Sequence, residues 1–198
     1  MDNSLLSKIH KEFDFLGYPL SSRDAKKWLR LKLKELRFSP RTLMGDLERH
    51  RKNSVIGKMY FFFYDPKTKE ELPFYDKFPL VIPLEKYGDG FLGLNLHYVP
   101  PAMRFVIIER LSKKLNNQKM DETTRMRVSY DYLSSLKNFS LFQPCIKRYL
   151  YSHIRSRFLF IEPNEWYFSC LLPFEMFRKQ SKKKIYSQIG TPVGTTLG

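Results

Sequence analysis

Apolar residues near the N-terminus recur at a helical interval. Ala25, Leu29, Leu33 and Leu36 fall three or four positions apart, the spacing that gathers side chains on one face of a helix. Ser22 stands where an N-cap oxygen would accept from the amides of the first turn. Ser39 followed by Pro40 repeats the signal, a cap and then proline at the first helical position, and predicts a short helix reaching about Arg51. From Gly57 the period changes. Residues 57–64, GKMYFFFY, are dense in β-formers and end at Asp65-Pro66-Lys67, a turn signal. Phe78 to Leu84 predicts a second strand, with Pro79 and Pro83 pushing it toward an edge or a bulge. Gly88-Asp89-Gly90 predicts a tight turn, and Phe91 to Tyr98 a third strand.

Pro100-Pro101 then opens a helix predicted to run to about Asn116, with Ile107 and Leu111 facing the core and Arg104, Arg110, Lys113 and Lys114 facing solvent. Asp121 or Thr123 can cap a following helix that carries Met126, Tyr130, Leu133 and Leu136. A further helix is expected over Pro144 to Ser152. Two more strands, Arg157 to Ile161 and Trp166 to Leu172, are expected on either side of Glu162-Pro163-Asn164. The pattern as a whole predicts an α+β fold: a small antiparallel, barrel-like sheet of about five strands with flanking basic helices. Residues 1–56 read as an N-terminal basic helical extension and 57–189 as the α+β core domain. Residues 190–198, GTPVGTTLG, read as a flexible or partner-ordered tail.

Composition sharpens this picture. The hydrophobic share of 42% with 16% aromatic is enough to build a packed core and excludes a disordered polyelectrolyte. The chain carries 35 Lys+Arg against 20 Asp+Glu, a formal net charge of +15, which favours nucleic acid, an anionic membrane face or an acidic protein as partner. Charges interrupt every apolar stretch, so no membrane span is expected. The first residues lack the basic start and apolar run of a secretory signal. The charge is also unevenly placed. Residues 1–56 have 13 basic and 7 acidic side chains, 57–100 have 5 and 6, 101–162 have 12 and 5, and 163–198 have 5 and 2. The aromatic middle is nearly neutral and reads as scaffold, while both flanks are basic.

Candidate contacts to nucleic acid follow from that distribution. Arg23, Lys26, Lys27, Arg30 and Lys34 surround the first apolar stripe and would lie along a phosphate backbone, unless they form only a solvated face. Lys147, Arg148, Arg155 and Arg157 alternate with Tyr149, Tyr151 and Phe158, a pattern suited to neutralising phosphates beside stacking surfaces. Lys182, Lys183 and Lys184 would add Coulombic grip without sequence preference. The rings of Tyr60 to Tyr64 are expected mainly in the core, because alternation sends half of them inward.

Little in the chain points to catalysis. The histidines are His10, His50, His97 and His153, with no metal-ligand spacing among them; His97 is expected to be a hydrogen-bonded structural residue. No Gly-rich phosphate loop is present. Asp65, Glu70, Glu71, Asp76 and Glu85 are the carboxylates a metal-dependent nuclease would draw on, yet none falls in a paired motif, and Glu162 and Glu165 read as turn residues around Pro163. Cys145 and Cys170 are expected to be buried thiols in a reducing compartment. The expectation is a non-enzyme without metal or cofactor.

The phrases GKMYFFFYDPKTKEELPFYDKFPLVIPLE (57–85), DGFLGLNLHYVPP (89–101) and CIKRYLYSHIRSRFLFIEPNEW (145–166) resemble the DNA end protector family of T-even-like tailed phages, including those of marine cyanobacteria. The likeness covers roughly residues 40–185. It implies a virion protein, made in the host cytoplasm, that binds the terminus of packaged double-stranded DNA and shields it from host exonuclease. It also implies other virion proteins of the portal, neck or tail as partners, and no membrane. A structural neck, tail or baseplate component contacting acidic proteins is the alternative, and a nuclease a more distant one.

Overall fold

Ser4 and Ser22 each open a helix by accepting an amide hydrogen in the first turn, from Ser7 at 3.1 Å and from Ala25 at 3.0 Å. The structure is a computed structural model that describes residues 4–19, 22–115, 131–132, 135 and 142–189. Helix α1 spans Leu5–Leu16 and α2 spans Arg23–Glu35. Leu6, Ile9 and Phe13 of α1 and Ala25, Leu29 and Leu33 of α2 are buried in one apolar core with the sheet residues described next.

Six strands form an antiparallel sheet. They are β1 (His50–Arg51), β2 (Met59–Phe61), β4 (Leu80–Tyr87), β5 (Gly90–Asn95), β6 (Ile146–Leu150) and β7 (Phe158–Ile161), in the order β1-β7-β2-β4-β5-β6. The sheet is open, not barrel-like, with β1 and β6 at its edges. A separate two-stranded ribbon pairs β3 (Tyr75–Asp76) with β8 (Phe177–Arg178). The helices α3 (Pro40–Leu43), α4 (Pro101–Leu115), α5 (Trp166–Leu171) and α6 (Lys182–Ile189) complete the described elements. Among them, no helix is long and apolar enough to cross a membrane.

Alternation along the strands sends side chains to two different cores. Met59 and Phe61, Leu80 and Ile82, and Leu159 and Ile161 join the large core that the helices cover. Tyr60, Phe62, Val81, Phe91, Tyr149 and Phe158, with Tyr64, form a second cluster. Its rings meet edge-to-face, as in Phe62–Tyr149 at 5.2 Å and Tyr64–Tyr149 at 4.9 Å between centroids, the arrangement their quadrupoles favour. Both sets of rings from the aromatic run are therefore packed, and none of Tyr60, Phe61, Phe62 or Tyr64 is free to stack on a base.

The second expected strand is present, and the bulge that its prolines suggested falls between Pro83 and Glu85. The strand is interior, however, because neither proline blocks its pairing with β2 and β5. The helix expected to reach Arg51 stops at Leu43. Arg49 is drawn inward to a buried carboxylate, and His50 and Arg51 pair with β7. The helix expected over Pro144 to Ser152 is strand β6, five residues of which pair with β5. Gly90 permits this approach: a Cβ there would collide with the Tyr149 carbonyl. Trp166 to Leu172 is helix α5 rather than a strand. Pro163 starts a 3₁₀ turn that leads into it, and the Trp166 indole donates to the Ile161 carbonyl at 3.0 Å. Of the helix expected over 121–136, residues 131–132 and 135 are described and are helical; the rest lies outside the described residues, as do the side chains of Lys113 and Lys114.

Candidate nucleic-acid interface

Helix α2 buries Ala25, Leu29 and Leu33 and turns Arg23, Lys26, Lys27, Arg30 and Lys34 to solvent. Positions 23, 27, 30 and 34 recur at helical spacing, with Lys26 beside them, so the five cations form one exposed stripe. Among the described residues none of the five has an ion-pair partner. Lys32 differs: it bridges to Glu12 at 2.9 Å, and that hydrogen bond holds its ammonium above the usual lysine range.

Lys26 and Arg30 form one rim of a groove of about 190 Å³ where α2, α4 and α6 converge. Lys182 of α6 lines the same groove, and the fully buried Ile185 anchors that helix. Two of the predicted clusters, far apart in sequence, thus share one feature. Lys183 and Lys184 are exposed on the first turn of α6. Lys182 is less available, because its ammonium donates to Glu175 at 2.6 Å.

The floor of this groove holds Arg104, which was expected on the solvent face of its helix and is instead 1% exposed. Its guanidinium donates to the carbonyls of Val99 at 2.8 Å, His97 at 3.0 Å and Cys170 at 3.3 Å, and to the Tyr186 hydroxyl at 2.7 Å. It also bridges to Glu175 at 2.9 Å. Burial alone would raise the Glu175 carboxyl. The charges of His97 and Arg104 and the Lys182 hydrogen bond outweigh burial and hold it at about 2. A second buried arginine, Arg49, donates to Glu165 at 2.9 Å and Ser7 at 2.8 Å. Glu165 closes the 3₁₀ turn expected around Pro163 and is also an interior counterion.

The third predicted cluster sits elsewhere, around edge strand β6. Lys147 lines a cavity of about 410 Å³ together with Phe74, Tyr75 and Tyr98. Its ammonium lies 4.7 Å from the Tyr98 ring centroid and 5.6 Å from that of Phe74. Arg148 lines the same cavity but is paired with Asp89 at 2.5 Å and lies over Tyr87 at 4.4 Å. Arg155 is exposed, 3.9 Å from Asp65, and Arg157 is exposed without an ion-pair partner among the described residues.

Two of the acidic candidates, Asp65 and Asp76, are engaged by neighbouring side chains. Asp65 holds Lys69 at 3.1 Å, and that hydrogen bond lowers its carboxyl below the usual range. Asp76 is buried, accepts from the amides of Phe78 and Met176, and meets His97 Nδ1 at 2.7 Å. His97 is fully buried, in keeping with the structural role expected of it. Among the described residues no group of three or more His, Cys, Asp or Glu is placed to hold a metal ion. Both cysteines are free and buried, and burial pushes each thiol up to about 12.

A family model described as the phage T4 terminal DNA protecting protein matches residues 26–190, which takes in most of the chain. No curated protein matches significantly, and neither does any solved structure.

Proposed function

The chain belongs to the phage T4 terminal DNA protecting protein family, and from that premise we propose that it binds the terminus of packaged double-stranded DNA in the virion and shields it by occupancy rather than by chemistry. The observation that carries this reading is the α2 stripe. Arg23, Lys26, Lys27, Arg30 and Lys34 are exposed, share one helix face and lack carboxylate partners among the described residues. A cationic row of this kind neutralises successive phosphates and releases their counterions, which supplies affinity without reading sequence. Lys183 and Lys184, exposed on the first turn of α6, are proposed as further phosphate contacts. The protective rather than cutting role is supported by the commitments of the acids: Asp76, Glu165 and Glu175 are each engaged in the interior by histidine or arginine. Under this reading, portal, neck or tail proteins are the expected neighbours in the particle.

Salt titration tests the proposal. With about six phosphates contacted, log K for a linear duplex should fall with log salt at a slope of about −5. No measurable binding at about 50 mM salt would end the reading. In the companion assay, linear duplex held with excess protein should resist a processive exonuclease and remain intact with Mg²⁺ alone.

A further inference from the structure

The cavity beside β6 is not needed for backbone binding by α2, and its chemistry differs from that of a phosphate-tracking face. Five features converge there. Its volume, about 410 Å³, lies within the range of small-ligand sites, roughly 300–1,000 Å³, and is too small for stacked duplex. Its wall is aromatic and aliphatic: Leu72, Phe74 and Tyr75 are each half-buried and present apolar surface to the space. Lys147 enters from β6 and is held over the Tyr98 and Phe74 rings. Among the described residues it has neither a carboxylate nor a hydrogen-bond acceptor, and burial holds its ammonium below the usual lysine range. Lys67, exposed, and Arg148 line the same cavity, and the one carboxylate in the lining, Asp76, is engaged by His97, so the lining carries a cationic excess.

A desolvated cation without a counterion gains most from an anion that brings its own apolar body. We infer that this cavity receives the terminal nucleotide of a DNA strand, its phosphate on Lys147 and its base along the wall of Leu72, Phe74 and Tyr75. The inference rests on the DNA-end reading above and gives it a physical basis for choosing ends. Only at a terminus can a nucleotide leave the stack cheaply, since an internal one must break pairing and stacking on both sides. The groove at α2 then supplies grip, and the cavity supplies discrimination between an end and continuous duplex.

The test compares a 5′-phosphorylated blunt duplex with the same sequence closed by hairpins at both ends, using fluorescence anisotropy. The wild type should prefer the open duplex by about tenfold or more, the worth of one base stacked on protein. Lys147→Gln and Phe74→Leu should each bring the ratio of open-duplex to closed-duplex affinity down to about one, with thermal unfolding confirming that both variants fold. A preference retained in both variants overturns the assignment. Equal wild-type affinity for both duplexes overturns it too, while the duplex-binding reading stands. A calorimetric titration with a deoxynucleoside 5′-monophosphate separates the two ideas. Heat that Lys147→Gln abolishes supports the cavity even if duplex binding fails. No mononucleotide heat together with no duplex binding removes both.

Discussion

The groove at α2 and the cavity at β6 are built from the same residue types and hold them in opposite ways. In the groove the free cations stand on the rim, exposed and unpaired, while the cation of the floor, Arg104, is surrounded by acceptors and matched to Glu175. In the cavity the order is reversed. The rim cation Arg148 is matched to Asp89, and the half-buried Lys147 has rings for neighbours instead of acids. The difference teaches where each charge can act. An exposed stripe acts at the range of a Debye length and is screened by salt. A sunken lysine acts only on a group that fits beside it, and is screened much less.

The largest expected effect comes from the floor of the groove. Arg104→Ala removes five interactions at once, strips three buried carbonyls of a donor and leaves Glu175 with Lys182 as its remaining ion-pair partner among the described residues. Removing one partner of a buried pair costs about 3–5 kcal/mol. Arg30→Ala, on the rim of the same groove, should change stability by under about 0.5 kcal/mol, as exposed substitutions do. Urea unfolding of the two variants breaks the comparison if they lose similar stability.

Next comes the rim. Lys26→Glu, Arg30→Glu and Lys34→Glu together should leave the fold intact and lower duplex affinity roughly 100-fold near 0.1 M salt, with the salt slope shallower by about 3. Arg155→Glu with Arg157→Glu should cost less than about tenfold, because Arg155 already has Asp65 nearby. If the second pair costs more than the triple, the grip lies at the β6–β7 side and the assignment of roles to groove and cavity is reversed.

These contrasts were only partly readable from the chain. The α2 stripe was legible because an amphipathic helix prints both of its faces at one period, and Ala25, Leu29 and Leu33 do so. Arg104 had a signal that charge obscured: it occupies the first position of the stripe Arg104, Ile107, Ile108, Leu111, which places it in the core. Arg49 had none, since its partner Glu165 lies 116 residues away and only the fold brings them together. Strand β6 was misread as helix for a related reason. The five residues of β6 carry no decisive period, and their state is set by pairing with β5 and by Tyr149 entering the aromatic cluster. The cavity could not be foreseen at all, because its wall comes from the turn before β3 and its cation from a strand that the sequence concealed. The aromatic run announced a sheet, but not that both faces of it would be covered.

The last expectation sharpens the comparison through pH. The groove floor pairs its cation with a carboxylate, and the cavity's lysine has no such partner among the described residues, so acid should act on the first region before the second. The Glu175 carboxyl sits at about 2 in the folded protein against an ordinary 4.5. Burial opposes that shift, and His97, Arg104 and Lys182 produce it. The unfolded chain therefore binds the proton more readily. The stability that Glu175 contributes is complete above about pH 4.5 and drains away as pH falls toward 2, with a loss on the order of 2 kcal/mol between pH 5 and 3. Glu175→Gln should be less stable than the wild type at pH 7 but lose less across that window, so the two urea midpoints converge as the solution is acidified. Lys147→Gln should instead follow the wild-type curve in parallel, because no carboxylate is paired with that lysine among the described residues. Parallel curves for Glu175→Gln would mean that Arg104 is held by the carbonyl groups alone, and the groove floor would then owe its order to hydrogen bonds and not to charge.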